Sequence, residues 1–286
     1  MITKKYTGHY DIGRNILVIG SVHGNELTPS SAIKMFEDTL LEPLLARCAS
    51  ITTLKWVNTS GIIARTREYS EISTTDMNRM FDKNADDSDD LSDTVSKLKN
   101  MIVDADVVID VHSSPNCYPM VLINVDNYSD SYAQFCVDSN IAYAIRYNEN
   151  PTIKKYAMEM SGIGITVELN GIESVQYQDA ANGAVLIKKI IDHISTYKWA
   201  PTQKEPTYPV MFEAKTHLSG IVDYTGHVLG GSIFNGSVVG TVTDINDDRS
   251  PIPVTYNGPD GRIILMTEGY ISPNEPYILV QPHKAK

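Results

Sequence analysis

The chain has 286 residues, a formal net charge of −11 and three cysteines, Cys48, Cys117 and Cys136, with no CxxC spacing. A chain of this length buries a core without help from disulfides or a structural metal, and the cysteine pattern fits a reducing compartment rather than a disulfide framework. The acidic balance, with no basic block, excludes a general nucleic-acid binder and requires any anionic ligand to be held by a local cluster of arginines.

The N-terminus carries Lys4 and Lys5 with no apolar segment after them, so it does not read as a secretory signal. No apolar run approaches the roughly 20 residues of a membrane span. A cytoplasmic location is the expectation. Up to about residue 199, continuous apolar runs alternate with helical patterns, as parallel strands covered on both faces require. The clearest strands are "NILVIGSV" (15–22), "DVVIDV" (106–111), "PMVLINV" (119–125) and "GIGITVEL" (162–169). Helices are predicted over 28–46, 91–103, 129–138 and 176–198, the first with Thr28 as N-cap and Pro29 at the first helical position. The reading is an α/β domain with a largely parallel sheet.

The segment "APTQKEPTYP" (200–209) holds three prolines and no apolar run, and it reads as a linker. Beyond it, "GIVDY", "HVLGGSIF", "SVVGTVTDI", "IPVTY", "GRIILM" and "PYILVQ" are short strands, an all-β segment with the rhythm of a barrel-sandwich. Asp260-Gly261 marks a hairpin turn before "RIILM". A lipoyl or biotinyl carrier would need a lysine on a hairpin, and none occurs between Lys215 and Lys284. The expected organisation is a catalytic α/β domain over 1–199 and a β domain over 200–286. The acidic runs "DDSDDLSD" (86–93) and "DINDDRS" (244–250) lack the pattern of a calcium loop; the first reads as a solvated helix start.

The residues that carry chemistry sit where apolar runs end. "GSVHGNE" places His23 and Glu26 three apart at the carboxyl edge of the first strand, the edge where open α/β sheets build their sites. An imidazole and a carboxylate at that spacing can share one ion, and zinc accepts such mixed ligands. "VVIDVHSS" ends a second apolar strand in His112, where a polar ring is costly without a partner. Asp110, two residues earlier, shares its strand face and could orient the ring. Two histidines and one glutamate leave a coordination position open, as in catalytic rather than structural zinc sites. Glu168 near the end of the apolar strand "GIGITVELN" is either a strand-end residue facing solvent or a buried carboxylate suited to a general base. "ARTREYSEISTTDMNRMF" (64–81) contains Arg67, Asn78 and Arg79, which by themselves read as surface residues of a polar loop and are also the donors a carboxylate-bearing substrate would require.

Taken in order, "GSVHGNE", "TREY", "DMNRMF", "DVHSS" and "ITVELN" resemble the succinylglutamate desuccinylase and aspartoacylase family, relatives of the zinc carboxypeptidases. The resemblance covers nearly the whole chain, since that family also appends a β domain. It implies a zinc-carboxypeptidase-like mixed, largely parallel sheet with helices on both faces, and one zinc per chain held by His23, Glu26 and His112. It implies Glu168 as general base and proton shuttle, Arg67 as the group polarising the scissile carbonyl, and Asn78 with Arg79 as the grip on the substrate carboxylate. In this family the polarising arginine stands eight residues before the arginine of the Asn-Arg pair, whereas Arg67 precedes Arg79 by twelve, which leaves Arg65 as a rival. Gly24 would ease the bend between ligands and Asn25 would tie the turn down. Tyr277, in "NEPYILVQ", is the nearest match to a substrate-contacting tyrosine of the family and reads instead as part of a final strand. The implied activity is hydrolysis of the amide bond of a small N-acyl amino acid. A carboxypeptidase-like peptidase and a non-catalytic binder on the same fold are the alternatives. A G-x-S-x-G elbow is absent, which disfavours a serine hydrolase, and "GIGITV" lacks the third glycine of a dinucleotide turn.

Overall fold

The computed structural model describes residues 3–9, 13–69, 75–82, 90–124, 130–146, 151–196, 212–215, 220–224, 231–243, 251–266, 269–271 and 276–282. A seven-stranded sheet organises the first two thirds of the chain. Its strands are β1 (Thr3–Thr7), β2 (Asn15–Gly20), β3 (Ser50–Leu54), β4 (Val107–Ser114), β5 (Met120–Asn124), β6 (Ala142–Arg146) and β7 (Gly164–Asn170), in the order β1-β3-β2-β4-β7-β5-β6. β3, β2, β4 and β7 run parallel. β1 closes one edge antiparallel to β3, and β5 lies antiparallel to β7 with β6 parallel beside it.

The central strands read as unbroken apolar runs because both faces of the sheet are covered. One face packs Ile16, Val18, Ile109, Val111, Ile165 and Val167 against α1 (Thr28–Thr39), α4 (Asp130–Asp138) and α6 (Tyr177–Thr196). The other sets Leu17, Ile19 and Val108 against α3 (Asp90–Val103) and α5 (Ile153–Met160). A short helix, α2 (Thr59–Ala64), follows β3.

The 28–46 segment is not one helix: α1 stops at Thr39, and a 3-10 turn over Glu42–Ala46 follows. Thr28 does not cap α1, whose N-cap residue is Leu27 with no side-chain bond. The Thr28 hydroxyl instead accepts the Gln176 N–H at 3.1 Å, tying α1 to the approach of α6. A tertiary donor has taken the oxygen that a local cap would have used.

Beyond residue 211 the described elements are strands. β10 (Ser232–Ile233), β13 (Gly261–Met266), β15 (Pro276–Pro282) and β8 (Phe212–Lys215) form one antiparallel sheet. β12 (Ile252–Thr255), β11 (Val238–Thr243), β9 (Gly220–Tyr224) and β14 (Gly269–Ile271) form another. Ile233, Ile263 and Val280 from the first share a core with Val239, Val242 and Val254 from the second, so the two sheets make a sandwich. Asp260-Gly261 is not a hairpin turn, because the strands it separates, β12 and β13, belong to different sheets. The chain crosses between layers there, and the Tyr256 hydroxyl donates to the Pro259 carbonyl at 2.7 Å. Tyr277 falls within β15. The predicted linker at 200–209 and the acidic run at 244–250 lie outside the described residues, as does all of 86–93 before Asp90.

Candidate active site

The carboxyl edges of β2, β4 and β7 lie side by side and aim the same way. On β4, side chains two apart share a face, so Asp110, His112 and Ser114 point together, and in register Thr166, Glu168 and Asn170 of β7 stand opposite them. The turn after β2 brings His23 and Glu26 to the same edge. Ser21, at φ 54°, turns the chain, its hydroxyl donates to the Glu26 carbonyl at 3.0 Å, and the Glu26 N–H donates to the His23 carbonyl at 3.2 Å.

Gly24 serves this turn by allowing close approach. A Cβ there would lie 2.0 Å from the Gly61 carbonyl carbon in α2, so the turn and that helix touch backbone to backbone. Asn25 anchors the turn through its main chain, whose carbonyl accepts the Glu173 N–H at 2.6 Å. Its side-chain Oδ1 is buried without a partner among the described residues.

His23, Glu26 and His112 are 3%, 3% and 5% exposed, and their ligand atoms all lie within 4.8 Å of one another. Glu26 is the hub. Its Oε1 meets His23 Nδ1 at 2.7 Å, while Oε2 meets His112 Nδ1 at 3.0 Å and accepts the Ser113 N–H at 3.0 Å. Each imidazole has its other nitrogen on a second carboxylate: His23 Nε2 to Asp76 Oδ1 at 3.0 Å, and His112 Nε2 to Asp110 Oδ2 at 2.8 Å. Carboxylate–histidine pairs of this kind fix the tautomer and present the Nδ1 lone pair to a metal. The arrangement fits a zinc-type cation, with two nitrogens and a carboxylate converging in a buried, acidic setting.

The electrostatics agree. Burial alone would raise the Glu26 carboxyl, but His112 and His23 beside it outweigh that and hold it well below the usual carboxylate range. Burial alone would lower His112, but Asp110 and Glu26 overcome it and raise the imidazole well above its ordinary value. A site that holds an extra proton between two carboxylates is one that favours a cation. Asp110 Oδ1 is buried with no donor among the described residues, so the charge is only partly matched by protein groups.

These three groups line a cavity of about 390 Å³ together with Arg67, Asn78, Arg79, Asp110, Ser114, Lys154 and Glu168. Glu168 is half-buried on β7 and accepts a 2.5 Å hydrogen bond from the Ser114 hydroxyl. Asn78 Oδ1 accepts the Ile153 N–H at 2.9 Å, which directs the amide nitrogen toward the site, 3.3 Å from His112 Nε2. That nitrogen and His112 Nε2 cannot both donate to each other. Asp110 takes the imidazole proton, and the Asn78 amide is left to face the cavity. Arg67 reaches Glu26 Oε1 at 3.4 Å and Asp76 Oδ2 at 3.1 Å. Arg79 donates to the Asn78 carbonyl at 3.0 Å. Arg65 ends α2 in the left-handed region at φ 57°, is exposed, and is not among the cavity-lining residues.

The seven side chains read from the sequence as metal ligands, base and substrate donors therefore meet in one cavity, with Asp110 beside them. Sequence reasoning overlooked Asp76, Ser114 and Lys154. Asp76 sits inside the quoted "DMNRMF" and caps the turn Met77–Arg79 by accepting the Asn78 N–H at 2.8 Å, an Asp-x-Asn pattern that could have marked it. Burial would raise its carboxyl, but His23, Arg67 and Arg79 hold it well below the usual range. Lys154 is 6% exposed in the first turn of α5. That helix was not among those predicted; its sequence signal is Thr152, whose hydroxyl caps it by accepting the Lys155 N–H.

The family described as succinylglutamate desuccinylase/aspartoacylase catalytic domain matches residues 12–194. No curated protein matches the chain. Among solved structures it is similar to a succinylglutamate desuccinylase/aspartoacylase from Rhodobacter sphaeroides, with a TM-score of 0.73 at 18% identity over 99% of this chain and 89% of that one. An aspartoacylase family protein from Mesorhizobium loti gives 0.72 at 18% identity, again over 99% and 89%. The product-bound ectoine utilization protein EutE (DoeB) from Ruegeria pomeroyi gives 0.70 at 17% identity over 95% and 86%. At such identities the structural likeness speaks to the fold.

Proposed function

The chain belongs to the succinylglutamate desuccinylase/aspartoacylase family, and we propose that it is a zinc-dependent hydrolase that cleaves the amide bond of a small N-acyl amino acid. The observation that carries this reading is the convergence of His23 Nδ1, His112 Nδ1 and the Glu26 carboxylate in a cavity that also holds Glu168 and two arginines. His23, Glu26 and His112 would hold the zinc. When bound, that ion supplies Lewis acidity and a water acidic enough to ionise near neutral pH.

The chain's own groups supply the rest. Glu168, its Oε1 fixed by the Ser114 hydroxyl, takes a proton from the attacking water and returns it to the leaving amine. Arg67 polarises the scissile carbonyl and stabilises the charge that develops on its oxygen. Asn78 and Arg79 receive the substrate carboxylate, and the shared anchoring of Arg79 on the Asn78 carbonyl sets the two donors side by side. A cavity of about 390 Å³ suits a substrate of amino-acid size. We place the division between catalytic and β domains at about residue 200, and a cytoplasmic location accords with a chain in which no helix among the described residues is long and apolar enough to cross a membrane.

The test is metal content and hydrolysis measured together, on wild type and Glu168→Gln, against N-acetyl, N-succinyl and N-formyl amino acids and short peptides. Wild type binds about one zinc per chain and hydrolyses an acyl amino acid, and Glu168→Gln keeps the metal but loses turnover by on the order of 10²–10⁴-fold. Cleavage of peptides alone would replace the acylase reading with a peptidase. Failure to bind zinc would leave a binding protein on a hydrolase fold.

A further inference from the structure

Asp76 touches both halves of the site. Its Oδ1 accepts from His23 Nε2 at 3.0 Å and from the Asn78 N–H at 2.8 Å. Its Oδ2 accepts from Arg67 Nη2 at 3.1 Å and lies 3.9 Å from Arg79 Nη1. The matching carboxylate behind His112, Asp110, pairs with no arginine among the described residues, so of the two carboxylates behind the ligand histidines Asp76 is the one that joins its histidine to the arginines.

Resting on the metal-site reading above, we infer that Asp76 is a positioning residue that orients His23 for the metal and limits Arg67 to a long contact with the ligand carboxylate of Glu26. The first half follows from tautomer control: with Nε2–H donated to Asp76 at 3.0 Å, Nδ1, the nitrogen on the Glu26 side, is the one left for the metal. The second follows from the acceptors open to Arg67, which are Asp76 Oδ2 at 3.1 Å and Glu26 Oε1 at a looser 3.4 Å. A guanidinium that loses the first closes on the second. Glu26 Oε1 is also the oxygen facing His23, so a tight Arg67–Glu26 pair occupies a ligand atom and sets a fixed positive charge beside the cation site. Asp76 thereby keeps one arginine close enough for the substrate carbonyl without letting it compete for the metal.

The experiment is Zn²⁺ affinity of the full chain, read by competition with a chromophoric chelator, for wild type, Asp76→Asn, Asp76→Ala, Arg67→Ala and the double variant Asp76→Ala/Arg67→Ala. Asp76→Ala weakens Zn²⁺ binding by roughly 10- to 100-fold. Asp76→Asn retains an oxygen for His23 and for the Asn78 N–H and keeps the turn capped, and its smaller loss, less than about tenfold, reports the missing acceptor for Arg67. Removing Arg67 as well restores part of what Asp76→Ala lost, a coupling that damage to folding alone would not produce. Equal affinities of wild type and Asp76→Ala overturn the inference while leaving the hydrolase reading intact. A loss that is the same with and without Arg67 removes the claim that Asp76 restrains Arg67. Absence of Zn²⁺ binding by wild type overturns both the inference and the site it rests on.

Discussion

Gly24→Ala adds one methyl group at the centre of the ligand turn, and the geometry sets what it costs. The new Cβ would lie 2.0 Å from the Gly61 carbonyl carbon and 2.4 Å from its Cα and oxygen, where real contacts stay above 3.0 Å, so the backbones must part by about 1 Å. Neither side yields easily. Gly61 is held by Asn58, whose Oδ1 accepts its N–H at 2.9 Å and whose Nδ2 donates to the Glu68 carbonyl at 2.9 Å. The Asn58 N–H in turn donates to Ser21 at the root of the ligand turn. Overpacking of this kind costs about 1–3 kcal/mol, or roughly 2–12 °C in Tm for a domain of about 150–250 residues. A 1 Å displacement of His23 and Glu26 relative to His112 should also weaken zinc binding, by on the order of tenfold or more. Thermal unfolding in chelator and in excess zinc separates the two effects: the zinc-free Tm reports the packing penalty. The difference between the two conditions shrinks by about 1.4 kcal/mol for each tenfold loss of affinity. A variant with an unchanged zinc-free Tm and an unchanged response to zinc would refute the close-approach argument.

Arg79→Ala should raise KM for carboxylate-bearing substrates by about 10- to 100-fold, the worth of a charge-assisted hydrogen bond, while zinc content stays the same; unaltered steady-state kinetics would take Arg79 out of the substrate grip. Lys55→Met should destabilise the fold by roughly 3 kcal/mol, because Lys55 and Glu37 form a 2.7 Å pair whose side chains are 7% and 2% exposed. Burial raises the Glu37 carboxyl, yet Lys55, Thr53 and Lys4 outweigh it and leave its pKa below the ordinary value. Its stabilising contribution is therefore full above about pH 4.3, the unfolded value, and is lost as pH falls from there through the folded value. Urea midpoints between about pH 3 and 7 check this, since the acid limb of the wild-type curve should flatten in Lys55→Met.

Those strands that carry the site were legible because two-sided burial leaves no room for polar alternation. β2, β4 and β7 are apolar almost to the sheet edge, Asp110 and Thr166 apart, so His23, His112 and Glu168 stand out where each run ends. β1, "TKKYT", gave no signal because it is an edge strand exposed over most of its length. The antiparallel insertion of β5 between β7 and β6 could not be read either, since β5 itself is as apolar as a parallel strand. Local signals misled where tertiary contacts overrode them. Thr28 has the chemistry of a cap but spends its oxygen on Gln176, and Asp260-Gly261 marks a bend without saying which strands pair across it. Asp76 was missed for a related reason: its partners, His23 and Arg67, come from other loops, and no spacing within "DMNRMF" points to them.

The charge of the cavity reconciles an acidic chain with an anionic ligand. Among the lining residues, Glu26, Asp110 and Glu168 are balanced by Arg67, Arg79 and Lys154, so the sign of the site is decided at its centre. Asp110 and Glu26 raise the His112 imidazole well above its ordinary value against the cost of burial, so the centre of the site is one that draws positive charge. A divalent cation on the same ligands would supply that charge in a larger amount. Held by His23, Glu26 and His112, it would make the cavity positive inside a molecule of net charge −11, and low-dielectric walls would focus such a field on entering ligands. The acidic surface then discriminates by size as well as sign: a large polyanion meets repulsion over most of the protein, whereas a small carboxylate can reach Arg79 and Asn78 and feel chiefly the local field.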